Sequence, residues 1–73
     1  MTDTSTEALV RMVNQIADNY SALAPDVAVR AVANHLRQFW APSMRAELIR
    51  WCDAGGDGLE DTSRAAAELL RAG

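Results

Sequence analysis

The 73-residue chain contains no lysine, one cysteine and one histidine, and all seven of its basic residues are arginine. Without lysine it cannot provide a P-loop lysine, a Schiff-base lysine or a lysine general base. One cysteine and one histidine are too few for a zinc or iron–sulfur site built from these ligands alone. A single cysteine also excludes an internal disulfide. We therefore expect none of these catalytic, metal or disulfide sites within the chain.

Long apolar runs and an excess of positive charge are missing as well. No apolar run approaches the roughly 20 residues that a membrane span needs. The first residues lack the basic start and apolar stretch of a signal peptide, so we expect a cytoplasmic protein. The formal net charge of −3 argues against nonspecific nucleic-acid binding, which requires a basic face.

The apolar residues that are present recur at helical spacing, and no strand pattern is visible. The predicted fold class is all-α, a small array or bundle of about four short helices. We expect a single helical domain over residues 1–73, with a disordered tail at 1–5 and a frayed end at 72–73. Apolar burial and conformational entropy are each on the order of 100 kcal/mol for a chain of this size. The domain should therefore be marginally stable alone and benefit from a partner.

Capping residues and prolines indicate where the helices begin. Thr4 and Glu7 have the spacing of a capping box, so the first helix should start near Thr4. Pro25 or Asp26 opens the second helix, and Pro42 lies in the first turn of the third. Three apolar stripes should form the core, and their members are Leu9, Met12, Val13, Ile16 and Tyr20; Val29, Val32, Ala33, Leu36 and Trp40; and Met44, Leu48 and Trp51.

Gly55 and Gly56 should end the third helix, and residues 61–71 should form the fourth. The fourth helix has the thinnest apolar stripe, in Ala66, Leu69 and Leu70. We expect this helix to pack weakly, to fray or to be held by a partner.

Three features that could carry chemistry have simpler interpretations. His35 has no carboxylate at helical spacing to orient it, which indicates a surface or capping imidazole. Cys52 lies near the end of a helix beside Asp53, a position that disfavours a thiolate, so we interpret it as a partly buried filler. The acidic, glycine-rich stretch from Asp53 to Asp61 lacks the alternating oxygen ligands of a calcium loop and is typical of a turn.

Acidic residues stand three or four positions before five of the seven arginines, in the pairs Glu7–Arg11, Asp26–Arg30, Glu47–Arg50, Glu60–Arg64 and Glu68–Arg71. Arg37 and Arg45 have no such neighbour and flank the aromatic stretch Phe39–Pro42. Arginine and tryptophan beside a rigid turn are typical of an interface hot spot. A competing interpretation, which we favour for Trp40 and Trp51, places the tryptophans in the core. The predicted partner-binding residues are Arg37, Phe39, Trp40, Pro42, Met44 and Arg45.

Three blocks of the sequence resemble a known family. They read Met-Val-Asn-Gln-Ile up to Ile16, His-Leu-Arg-Gln-Phe-Trp-Ala-Pro-Ser-Met-Arg up to Arg45, and Asp-Ala-Gly-Gly-Asp-Gly-Leu up to Leu59. In this order and spacing they resemble the delta subunit of NAD-dependent formate dehydrogenase. The family usually has Asp where this chain has Ala41, which removes a side-chain cap from the third helix. It often has a basic residue at Ser43 and a Ser-Pro start to the last helix.

The resemblance implies a non-catalytic accessory subunit that carries no cofactor of its own. Its partner would be the large alpha subunit, which holds a molybdenum or tungsten pterin and iron–sulfur clusters. The same complex would hold FMN and the NAD site in beta and a further cluster in gamma. Delta would dock on alpha and support assembly or stability, without binding nucleic acid or a membrane.

Two alternatives remain open at this point. The second and third helices, joined across Ala41 and Pro42, superficially suit a small self-associating regulator with helix-turn-helix-like DNA binding. A recognition helix should be basic, whereas the third helix carries Glu47 and Asp53 beside Arg45 and Arg50. A stand-alone enzyme is the other alternative, and turnover by the isolated chain would support it.

Overall fold

The computed structural model describes residues 5–72, which form four helices: α1 (Thr6–Asn19), α2 (Pro25–Phe39), α3 (Pro42–Asp53) and α4 (Asp61–Ala72). No strand occurs within this range, and the predicted all-α class is confirmed. Most of the tail predicted at 1–5, and Gly73 at the other end, lie outside the described residues. Ser5 and Ala72, which the predicted tail and frayed end also included, are the N-cap of α1 and the last residue of α4.

The helix starts follow two different patterns. The Ser5 hydroxyl accepts a hydrogen bond from the Ala8 amide at 3.1 Å and thereby caps α1. Thr4, the predicted start, lies outside the described residues. Helices α2 and α3 begin with proline in the first turn, behind the extended residues Ala24 and Ala41. Proline suits this position because its missing amide would have no helical acceptor there.

Two glycines end α3, as predicted. The Gly56 amide donates to the Trp51 carbonyl at 2.8 Å, and the Gly55 amide donates to the Cys52 carbonyl at 3.1 Å. This pair of bonds is the Schellman arrangement. It requires a positive φ, which is +124° at Gly55 and +63° at Gly56. The chain therefore turns sharply out of α3 and enters the loop before α4.

The core lies where the helical stripes meet, and its fully buried large side chains are Leu9, Val13, Val32, Leu36 and Leu48. Trp40 is also buried, as predicted, whereas Trp51 is only half-buried, and its indole Nε1 donates to the Asp57 carbonyl at 2.9 Å. Met12, predicted in the core, is 37% exposed. It lies at the edge of the α1 stripe and faces outwards.

The prediction that α4 packs weakly is wrong. This helix contacts all three others, and its Ser63, Ala66 and Ala67 are fully buried. Small side chains allow close approach of neighbouring helices, so a thin apolar stripe is enough to place α4 in the core. Leu69 and Leu70 pack against the core as partly buried residues. No helix of the described chain is both long and apolar enough to cross a membrane.

Candidate partner-binding surface

The predicted partner-binding residues lie around the junction between α2 and α3, but they differ in accessibility. Phe39 is 70% exposed at the end of α2, and Arg37 and Pro42 are also exposed. Met44 and Arg45 are half-buried, and Trp40 is buried. The accessible part of the predicted surface is therefore Arg37, Phe39 and Pro42, while Trp40 supports it from within.

Arg45 has a clear internal role. Its Nη1 donates to the carbonyl oxygens of Trp40 at 2.7 Å, Arg37 at 3.3 Å and Leu36 at 3.4 Å. These carbonyls lie at the C-terminal end of α2, where the helix dipole favours a cation, and the Leu36 carbonyl also accepts from the Trp40 amide at 3.0 Å. The side chain therefore fastens α3 to the end of α2. Direct contact of Arg45 with a partner stays a prediction.

Arg37 is held more loosely. Its Nη2 lies 3.3 Å from the Leu69 carbonyl, and its Nη1 lies 3.4 Å from Asn34 Oδ1. Both bonds are long and solvent-exposed, so they cost little to exchange for bonds to another protein. Arg37 thus remains available at the surface between α2 and the end of α4.

An open cavity of about 430 Å³ lies between α1 and the end of α2, lined by Met12, Gln15, Ile16, Asn19, His35 and Trp40. The His35 ring packs against Phe39, with ring centroids 4.8 Å apart and ring planes tilted by 46°. One residue that lines the cavity, His35, is therefore in contact with the exposed Phe39 ring. Sequence analysis did not identify Met12 and Ile16 as surface residues, although Met12 lies at the margin of its stripe.

A second cavity, of about 380 Å³, is lined by Thr6, Glu7, Val10, Trp51, Asp57 and Gly58. Close to it, the Thr6 hydroxyl donates to Glu47 Oε2, and Arg50 donates to Glu47 Oε1 at 2.7 Å. The hydrogen bond from Thr6, and then that from Arg50, lower the pKa of Glu47. This ionised carboxylate links the start of α1 to α3.

The glycine-rich loop between α3 and α4 is fastened from two sides. The Asn14 amide donates to the Gly58 carbonyl at 2.9 Å and accepts from the Glu60 amide at 3.0 Å. Arg64 donates to the carbonyls of Gly55 and Gly56, both at 3.0 Å. These bonds join two of the blocks that carry the family resemblance, because Asn14 belongs to the first and the loop to the third.

Arg64 therefore does not follow the sequence prediction that paired it with Glu60. The two loop carbonyls present a better-placed acceptor pair for the guanidinium fork. Desolvation, and then a hydrogen bond and charge repulsion from Asp18, raise the pKa of Glu60. Three predicted pairs do form, with N–O distances of 3.8 Å for Asp26–Arg30, 2.7 Å for Glu47–Arg50 and 2.5 Å for Glu68–Arg71.

The other residues singled out in the sequence analysis, among them Cys52, lie in ordinary structural surroundings. Cys52 is buried, as predicted, and its sulfur lies 3.8 Å from Glu68 Oε2. Within residues 5–72 no three His, Cys, Asp or Glu side chains gather as a metal site would require.

On α3, Arg45 is bound to carbonyls and Arg50 to Glu47, an arrangement that does not favour α3 as a DNA recognition helix. What the described geometry offers is an exposed aromatic ring near a cavity of mixed polar and apolar lining.

A comparison with known protein families gives a match over most of the chain. The family model described as "NADH-dependant formate dehydrogenase delta subunit FdsD" matches residues 8–67. The matched range contains α2, α3, most of α1 and the first part of α4, together with all three sequence blocks. No curated protein and no solved structure matches the chain.

Proposed function

Because the chain belongs to the family of formate dehydrogenase delta subunits, we propose that it is a non-catalytic accessory subunit of a cytoplasmic NAD-dependent formate dehydrogenase. It docks on the large alpha subunit and supports assembly or stability of the complex. The match over residues 8–67 is the observation that carries this proposal. The molybdenum or tungsten pterin, the iron–sulfur clusters, FMN and NAD are held by alpha, beta and gamma in this proposal.

The accessible residues at the junction of α2 and α3 support a docking role. Phe39 exposes 70% of its surface, and Arg37, two residues before it in α2, makes only long hydrogen bonds to its own chain. A few residues supply most of the binding energy at protein interfaces, and arginine is enriched among them. The contact is therefore proposed to centre on the predicted residues, with Arg37, Phe39 and Pro42 touching the partner.

Co-purification tests the proposed docking. Tagged alpha subunit is co-expressed with the chain, and we expect the chain to be retained on the tag. Arg37→Ala should lower the retained amount several-fold, since it removes a potential bidentate donor. The matched control is Arg30→Ala, an exposed arginine of the same helix that pairs only with Asp26. A wild-type chain that binds no formate dehydrogenase subunit would contradict the proposal, and equal retention of both variants would contradict the site.

An order-of-addition experiment separates assembly from stability. The complex is first produced without the chain, and purified chain is then added. If the chain stabilises the finished complex, late addition should restore the lifetime of formate oxidation on warming. If it assists assembly, only co-expression should restore the activity. The proposal fails if the complex made without the chain is as abundant, as active and as stable as the complete one.

A further inference from the structure

We draw no further inference here: the strongest candidate, the open cavity between the start of α1, Trp51 of α3 and the loop before α4, is lined by the carboxylates of Glu7 and Asp57, but nothing in the structure shows what covers it.

Discussion

At the end of α2, one guanidinium bonds three carbonyl oxygens at distances of 2.7–3.4 Å. Arg45→Ala would leave these oxygens with fewer donors and remove a cation from the helix C-terminus. We expect a loss of about 1–2 kcal/mol in the free energy of unfolding. Urea denaturation followed by circular dichroism measures it. Arg50→Ala, which breaks only an exposed pair with Glu47, should change stability by less than about 0.5 kcal/mol, and an equal loss for both would contradict the capping role.

Ser63 is fully buried in α4, and its hydroxyl has no hydrogen-bond partner within the described chain. A buried hydroxyl without a partner destabilises the folded state. Ser63→Ala should therefore raise the free energy of unfolding by about 1 kcal/mol, helped by the higher helix propensity of alanine. Thermal melting checks the gain against Ser43→Ala, an exposed serine in the first turn of α3. A clear loss of stability at position 63 would mean that the hydroxyl is bonded.

Glu60 gives the fold a pH dependence of defined sign. Its pKa is raised in the folded state by desolvation and by Asp18, so the folded protein holds this proton more tightly than the unfolded chain. The stability that this provides is present below the ordinary value of 4.5 and is lost as pH rises through the folded pKa. Glu60→Gln should therefore melt higher than wild type at neutral pH, and the difference should shrink as pH falls to 4.5 and below. A constant difference across this range would contradict the assignment.

Glu47 acts with the opposite sign, because its pKa is lowered. Its contribution is present above 4.5 and is lost as pH falls through the folded pKa. The free energy of unfolding should therefore still fall in acid when Glu60 is replaced by Gln. Asp57→Asn, which changes an exposed carboxylate in the same loop, is the control for that variant.

The arginine contacts show what sequence could predict at this scale. A carboxylate three or four positions away is visible in the sequence, and three pairs predicted in this way are formed. Backbone carbonyls have no sequence signature, and those bound by Arg45 and Arg64 become acceptors only where helices end. The sequence therefore identified Arg45 as unusual without revealing its acceptors. The exposure of Phe39 likewise depends on how α3 leaves α2.

Between elements, the side chain of Asn14 joins α1 to the loop before α4 through one donated and one accepted bond. Asn14→Ala should lower the free energy of unfolding by about 1–2 kcal/mol, since both loop groups lose a protein partner. Hydrogen exchange should also become faster at the Glu60 amide than elsewhere in the loop. Gln15→Ala, at the exposed neighbouring position, is the control. Unchanged exchange at Glu60 would show that Arg64 and the Schellman bonds hold the loop without Asn14.

Helix positions were predictable because prolines, glycines and apolar spacing mark them locally. The starts of α2 and α3 at Pro25 and Pro42 and the end of α3 before Gly55 follow from such signals. The burial of α4 was not predictable in the same way. Its Ala66 and Ala67 carry little hydrophobic signal, yet their small size allows the close packing that buries them. Packing depends on the shapes of the helices that face each other, and the apolar spacing along one helix does not reveal the shape of its neighbours.

At the scale of the whole molecule, the stability of this small fold is linked to partner binding. A domain of this length is expected to have about 4–11 kcal/mol of stability, and this fold leaves a phenylalanine, Phe39, 70% exposed. A partner that covers the exposed Phe39 ring and its surroundings would bind only the folded chain. Binding must therefore stabilise the fold by mass action.

Hydrogen exchange of the chain with and without the large subunit measures this coupling. At a free partner concentration about 100 times the dissociation constant, linkage predicts about 2.7 kcal/mol of stabilisation, equivalent to about 100-fold slower exchange of amides that open by global unfolding. Amides in the middle of α1 and α2 should show this slowing, and Phe39→Ala should remove most of it while leaving exchange of the free chain unchanged. Slowing of exchange confined to α3 and α4 would mean that the partner covers a different face. Equal slowing in the wild type and in Phe39→Ala would mean that the exposed Phe39 ring contributes nothing to docking.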